Sequence, residues 1–132
     1  MTIDRGLELL DDTECIHLLR TVPVGRVVVT IGGAAAVLPV NYVMVGSDVF
    51  FFTGDGLKLR SALAESTVTF EADSIDVADR RGWSVIAVGS ATEASAGEHA
   101  RVESLGLYPW AAGDRSHLVR IRPTFLSGRR IL

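Results

Sequence analysis

The stretch "GRVVVTIGGAAAVLPVNYVMVGSDVFFFT" (Gly25–Thr53) holds three β-rich apolar runs, Gly25–Ile31, Ala35–Val45 and Asp48–Thr53. Val, Ile, Phe and Tyr suit a pleated, half-buried surface. Gly32-Gly33 and Gly46-Ser47 separate the runs, and such short glycine-containing breaks are hairpin signals. No segment between them is long enough for a crossover helix, so consecutive runs read as antiparallel neighbours.

The same period continues outward. Thr67–Asp73 alternates apolar and polar, Gly82–Ser95 is a long strand that turns polar on alternate positions, and His117–Ile131 closes with one or two strands. Three short helices punctuate the strands. "DDTECIHLLRT" opens on Asp11-x-x-Glu14, a capping-box spacing, and puts Cys15, Leu18 and Leu19 on one face before Pro23 and Gly25 end it. Leu57–Ala64 and Glu98–Leu105 read as the other two, with a polar turn at Ser74–Arg81 and a loop "LYPWAAGDR". Residues 1–10 are expected to be a flexible N-terminal segment. Six strands without βαβ alternation predict a mainly β chain, one domain over residues 1–132, whose antiparallel sheet is closed or half closed as a barrel.

Composition narrows the function. Of 132 residues, 48% are hydrophobic and 22% charged, and the net charge is −3. That is apolar for so short a chain, which suggests further burial in a homodimer. An acidic chain lacks the dense basic face that nucleic acid requires. Arg120, Arg122, Arg129 and Arg130 are the local exception and read as a solvated strand face. One cysteine, Cys15, fits a reducing compartment. The N-terminus has no apolar signal core, and no run approaches the ~18 apolar residues of a membrane span. The expectation is a cytoplasmic protein with no membrane partner.

Several chemistries fail on their motifs. "GDGLKL" begins like a dinucleotide fingerprint but has Leu59 at the third glycine. "GWSVI" has Ile86 where a nucleophile elbow needs glycine. His17, His99 and His117 lie far apart, and Glu71, Asp73, Asp76 and Asp79 lack a calcium-loop pattern, so no metal site is expected. No catalytic acid, base or nucleophile stands out.

The positive features surround "FFTGDGLKLRSAL" (Phe51–Leu63). Lys58 and Arg60 fall near a helix start, where the backbone dipole is already positive. A phosphate held there by free N–H groups would be neutralised by both cations, with Thr53 donating its hydroxyl. The opposing reading is that Asp55 simply caps the helix and both cations face water. On a regular helix they diverge by ~200°. A second feature is "VLPVNYV", where Pro39 and Asn41 interrupt an apolar strand. Proline cannot donate to a ladder, so the strand lies at an edge, at a bulge, or beside something that is not protein. In the last case the strand's backbone and Asn41 would face a flat ring with polar edges, with Trp83 and Trp110, each otherwise a core or interface residue, as aromatic cover. Together these describe a site for a phosphorylated ring cofactor.

With "VPVGRVVV", "LPVNYVM", "FFTGDGLKLRSAL", "VTFEAD", "GWSVIAVGSATE", "LYPWAAGDR" and "VRIRPTFLSGRRI", the chain resembles the pyridoxamine 5′-phosphate oxidase-like FMN-binding split-barrel proteins. It is most similar to their short actinobacterial branch, related to nitroimidazole-resistance proteins. The resemblance runs from about Asp11 onward. It implies a six-stranded antiparallel split β-barrel with short flanking helices, a homodimer, and FMN between the subunits. It also implies an oxidoreductase passing electrons between flavin and a small-molecule substrate. By position, Lys58, Arg60 and Thr53 would hold the phosphate, and Pro39, Val40 and Asn41 would line the isoalloxazine. Trp83 would lie near the ring, and Trp110 would reach across from the partner. The chain lacks the arginine-rich substrate segments of the true vitamin oxidases, which argues against that reaction. Relatives with a deazaflavin cofactor or haem leave those ligands as alternatives, and a non-catalytic flavin-binding module is a further one.

Overall fold

The computed structural model describes residues 2–4, 6–54, 67–108 and 117–132. In chain order the elements are β1 (Thr2–Asp4), β2 (Leu7–Leu10), α1 (Asp12–Leu19), β3 (Val24–Ile31), β4 (Ala34–Val45) and β5 (Asp48–Thr53). After these come β6 (Thr67–Asp76), β7 (Arg81–Glu93), α2 (Ala96–Ser104) and β8 (His117–Ile131). The helix expected at Leu57–Ala64 lies outside the described residues.

Every strand pairing is antiparallel. The order β8–β5–β4–β3–β6–β7 closes on itself through β7–β8, which makes a ring of six strands, and β1–β2 hang from β8 as an extra flap. The expected mainly β split barrel is thus realised. Residues 1–10 had no element in the sequence reading, but β2 pairs with Gly128–Ile131 of β8. The physical reason is Glu8. Its carboxylate is buried and accepts from Arg130 at 2.6 Å, while the same guanidinium donates to Glu14 of α1 at 2.7 Å. Arg120 likewise donates to Glu98 at 2.9 Å and lies 3.1 Å from Asp48. Two of the four C-terminal arginines therefore tie elements together, whereas Arg122 keeps 65% of its side chain exposed.

Local chemistry explains most boundaries. Asp11 caps α1 by accepting from the Glu14 amide at 2.9 Å. Gly32 and Gly33 both have positive φ, 61° and 82°, as a two-residue hairpin turn matched to strand twist demands. β6 continues through Asp76, into what the sequence suggested was turn, because Ser74–Asp76 still pair with β7. α2 begins earlier than expected because Ser95 and Glu98 form a capping box.

Inside the ring, Val27, Val29, Phe51, Phe70, Val85, Ala87 and Ile121 form the main core, and α1 closes it with Cys15, Leu18 and Leu19. Burial and the neighbouring acids push the Cys15 thiol up, so it is an inert packing group. A smaller cluster of Phe50, Leu118, Val102 and Leu107 seats α2 on the outside.

Candidate functional site

The two halves of β4 differ. Tyr42–Val45 pair with β5, whereas Ala34–Asn41 pair with β3. Among the described residues, the first half of β4 is therefore an edge, and Pro39 sits on it without interrupting a ladder on that side. This is the split in the barrel.

Directly opposed residues in an antiparallel sheet share a face. Pro39 opposes Arg26, Arg26 opposes Glu71, and Glu71 opposes Ile86, so these four side chains form one row on the outer surface. Asn41, two residues from Pro39, belongs to the same face. Its side-chain amide donates to the Tyr108 carbonyl at 2.6 Å. Val40 points the other way and packs against the core, so it offers backbone rather than side chain. Beside Asn41 lies a cleft of about 480 Å³, lined among others by Leu19, Pro23, Tyr42, Met44 and Leu107. Tyr42 forms its inner wall and donates to the Leu19 carbonyl, and burial pushes its phenol up.

Thr53 ends β5, two residues beyond the last β4–β5 pair, Tyr42–Phe51. It is 5% exposed, and its hydroxyl has no hydrogen-bond partner among the described residues. A buried hydroxyl left in that state costs about 1–3 kcal/mol. Its position immediately precedes the glycine-rich segment that carries Lys58 and Arg60. Those two residues and Trp110 lie outside the described residues.

Trp83 does not join this group. It faces the core side of β7 and lines a second pocket of about 430 Å³ with Arg81, Arg130 and Leu132. From β4 the path to it crosses β3 and β6 before reaching β7. Within one chain, the structure brings Pro39 and Asn41 together, sets Thr53 at the end of the neighbouring strand, and keeps Trp83 apart.

The sequence reading missed one feature of this face. Arg26 Nη1 lies 3.3 Å from Glu71 Oε1 and 3.2 Å from Asp73 Oδ2. Burial, then the hydrogen bond and charge of Asp73, push Glu71 up to about 7 against the opposing effect of Arg26. The alternation in "TFEAD" already put both carboxylates on one side of β6. Only the pairing of β3 with β6 supplied the arginine.

Among the described residues no cluster of three or more His, Cys, Asp or Glu is arranged to hold a metal ion, and no helix is long and apolar enough to cross a membrane.

The uncharacterized protein Rv0080 of Mycobacterium tuberculosis is 38% identical over 129 residues, covering 93% of this chain and 84% of its own. A Mycobacterium smegmatis structure described as an FAD binding protein superposes with a TM-score of 0.72 at 35% identity, over 96% of this chain and 99% of that one. A Mesorhizobium loti structure described as an FAD-binding protein shares the fold, with a TM-score of 0.76 at 22% identity over 94% and 97%. The family profile for pyridoxamine 5′-phosphate oxidase matches residues 11–130. A six-strand ring split along β4, together with a match over nearly its whole length, means that this chain belongs to the pyridoxamine 5′-phosphate oxidase family.

Proposed function

We propose that the protein binds FMN along the open half of β4 and acts as a flavin-dependent oxidoreductase on a small-molecule substrate. The observation that carries this reading is the Thr53 hydroxyl, buried and without a partner among the described residues. A phosphate oxygen is the acceptor it lacks, and Lys58 and Arg60 follow closely enough in sequence to neutralise that phosphate. Pro39 and Asn41 present a strand edge against which a flat ring can lie. Bound flavin supplies two-electron chemistry, and the chain binds and orients it. The relatives described as FAD-binding, with the cleft of about 480 Å³ beside Asn41, support FAD as a second candidate ligand.

The functional unit in this reading is a cytoplasmic homodimer with the flavin at the subunit interface. Val37, Ile86 and Phe125 are 61%, 40% and 59% exposed, an outer apolar face that a second copy would cover. Trp83 is three strand steps from β4 in its own chain, so its expected place near the ring is reached from the partner. Trp110 is assigned the same role.

Thr53→Val tests the phosphate site. The variant keeps the shape and loses the orphaned hydroxyl, so its cofactor-free stability is expected to be unchanged or slightly higher. Its flavin affinity is expected to fall about tenfold, ~1.4 kcal/mol. Equal affinity for wild type and variant in a fluorescence titration would remove Thr53 from the site. Lys58→Ala is expected to weaken binding by about 1.5–3 kcal/mol, as for a charge-assisted contact; wild-type affinity would move the phosphate elsewhere. The same titration with FMN, FAD and the deazaflavin cofactor ranks the ligands. Mixing the loaded protein with NAD(P)H, then with an acceptor, separates an oxidoreductase from a module that holds flavin without turnover.

A further inference from the structure

We propose that Arg26, Glu71 and Asp73 form a protonation-linked regulator of the flavin site. The cluster gains a proton when the ring on β4 becomes negative by reduction, and so controls how the ring's potential changes with pH. This rests on the flavin reading above and concerns residues to which that reading gives no role.

Geometry comes first. Arg26 is the direct cross-strand partner of Pro39, so its side chain rises on the same face one strand away, about 5 Å along the sheet. Glu71 is the next step in that row. Both ion pairs of Arg26 use the single atom Nη1, which leaves Nη2 and Nε without a partner among the described residues. A guanidinium with spare donors beside a ring site is placed to interact with charge that appears there. The side chains of Arg26, Glu71 and Asp73 are 42%, 27% and 29% exposed, so solvent screens them only in part.

The charge count follows. Arg26 and Asp73 cancel, and the state of Glu71 decides whether the cluster is neutral or carries one negative charge. The groups facing Glu71 are Arg26 from β3 and Asp73 from its own strand. Ser84 and Ile86, the β7 partners of Asp73 and Glu71, bear no charge. Tyr42, inside the barrel, feels Glu71 but stays neutral. Glu71 titrates at about 7, so above that pH it is ionised and able to accept a proton.

In reduction by dithionite, two electrons and one proton from water enter the ring, which then keeps one negative charge. A second proton moves from solvent to the Glu71 carboxylate and cancels it. Total uptake then lies between two electrons with one proton, as for an unregulated ring in this pH range, and two electrons with two protons. Covering this face with a second copy would raise Glu71 further by desolvation and move the effect to higher pH without removing it.

The test uses FMN-loaded protein and measures potential by equilibration with redox dyes. The range runs from about one unit below to about two units above the Glu71 value. Just above pH 7 wild type is expected to take up about half a proton more per two electrons than Glu71→Gln, the largest excess that a tenfold coupling allows. At the alkaline end Glu71→Gln is expected to favour reduction about tenfold, about 30 mV for two electrons. Arg26→Gln is expected to disfavour reduction by a similar factor. Asp73→Asn, which removes a raising influence on Glu71, is expected to shift the steep region to lower pH. Glu103→Gln, on α2, is expected to match wild type. Parallel pH profiles for wild type, Glu71→Gln and Asp73→Asn would overturn the inference while leaving flavin binding intact. Failure of wild type to bind FMN or FAD would overturn the flavin reading and this inference together.

Discussion

Gly89→Ala is expected to lower stability by about 3 kcal/mol or more, at the upper end of overpacking effects. Gly89 sits at the irregularity in the β7–β8 register, where Val88 opposes Phe125 and Gly89 opposes Pro123. A Cβ there would lie 2.6 Å from the Arg122 carbonyl carbon and 2.8 Å from Pro123 Cα, and closer still to the Arg122 oxygen. These are backbone atoms of the strand that closes the ring, so no rotamer change relieves the clash. The strands must separate or the bulge must move, and a one-residue slip would reverse the faces of the strand. Gly97→Ala is the natural control, since a Cβ there meets only the Ser95 hydroxyl at 4.0 Å. In α2 that change is expected to be neutral or stabilising by up to ~1 kcal/mol. Urea unfolding at fixed protein concentration compares the two. Similar midpoints would mean that the bulge gives way cheaply.

Phe70→Ala is expected to cost about 3–5 kcal/mol, the usual range for an aromatic deleted from a packed core. Phe70 is fully buried at the centre of the main cluster, with its ring 4.7 Å from that of Tyr42 at an interplanar angle of 70°. Gly25 lies against it so closely that a Cβ at that position would strike the ring. β3, β4 and β6 thus meet at one side chain. With a urea slope of about 1–3 kcal/mol per molar, the midpoint should fall by more than about 1 M. A shift below a few tenths of a molar would mean that the neighbours collapse into the space.

The strands were legible in the sequence because their period is local. Gly-Gly and Gly-Ser announced the hairpins, and "TVTFEAD" announced its own inner and outer faces. The N-terminal flap was not legible, because Glu8 is buried only in the company of Arg130, which lies at the far end of the chain. The same distinction governs the site. Pro39 reads as an edge from chemistry alone, since a missing N–H forbids a ladder on one side, and the structure has that edge. The inward turn of Val40 follows from the alternation around it. The separation of Trp83 from Pro39 does not, because it depends on which strands lie between them. The Arg26–Glu71–Asp73 cluster was hidden for a related reason: two of its members are neighbours in sequence, and the third arrives only when β3 docks on β6.

β8 follows every other strand in the chain, yet β5, β7 and β2 all use it as a wall. On a ribosome the growing chain therefore holds an open, unpaired sheet until β8 has left the exit tunnel. Such a nascent intermediate exposes strand edges and is vulnerable to chaperone capture and aggregation. Its closure is a late, long-range event, so the rate of ring formation should respond to changes in β8 far more than to changes in the β3–β4 hairpin.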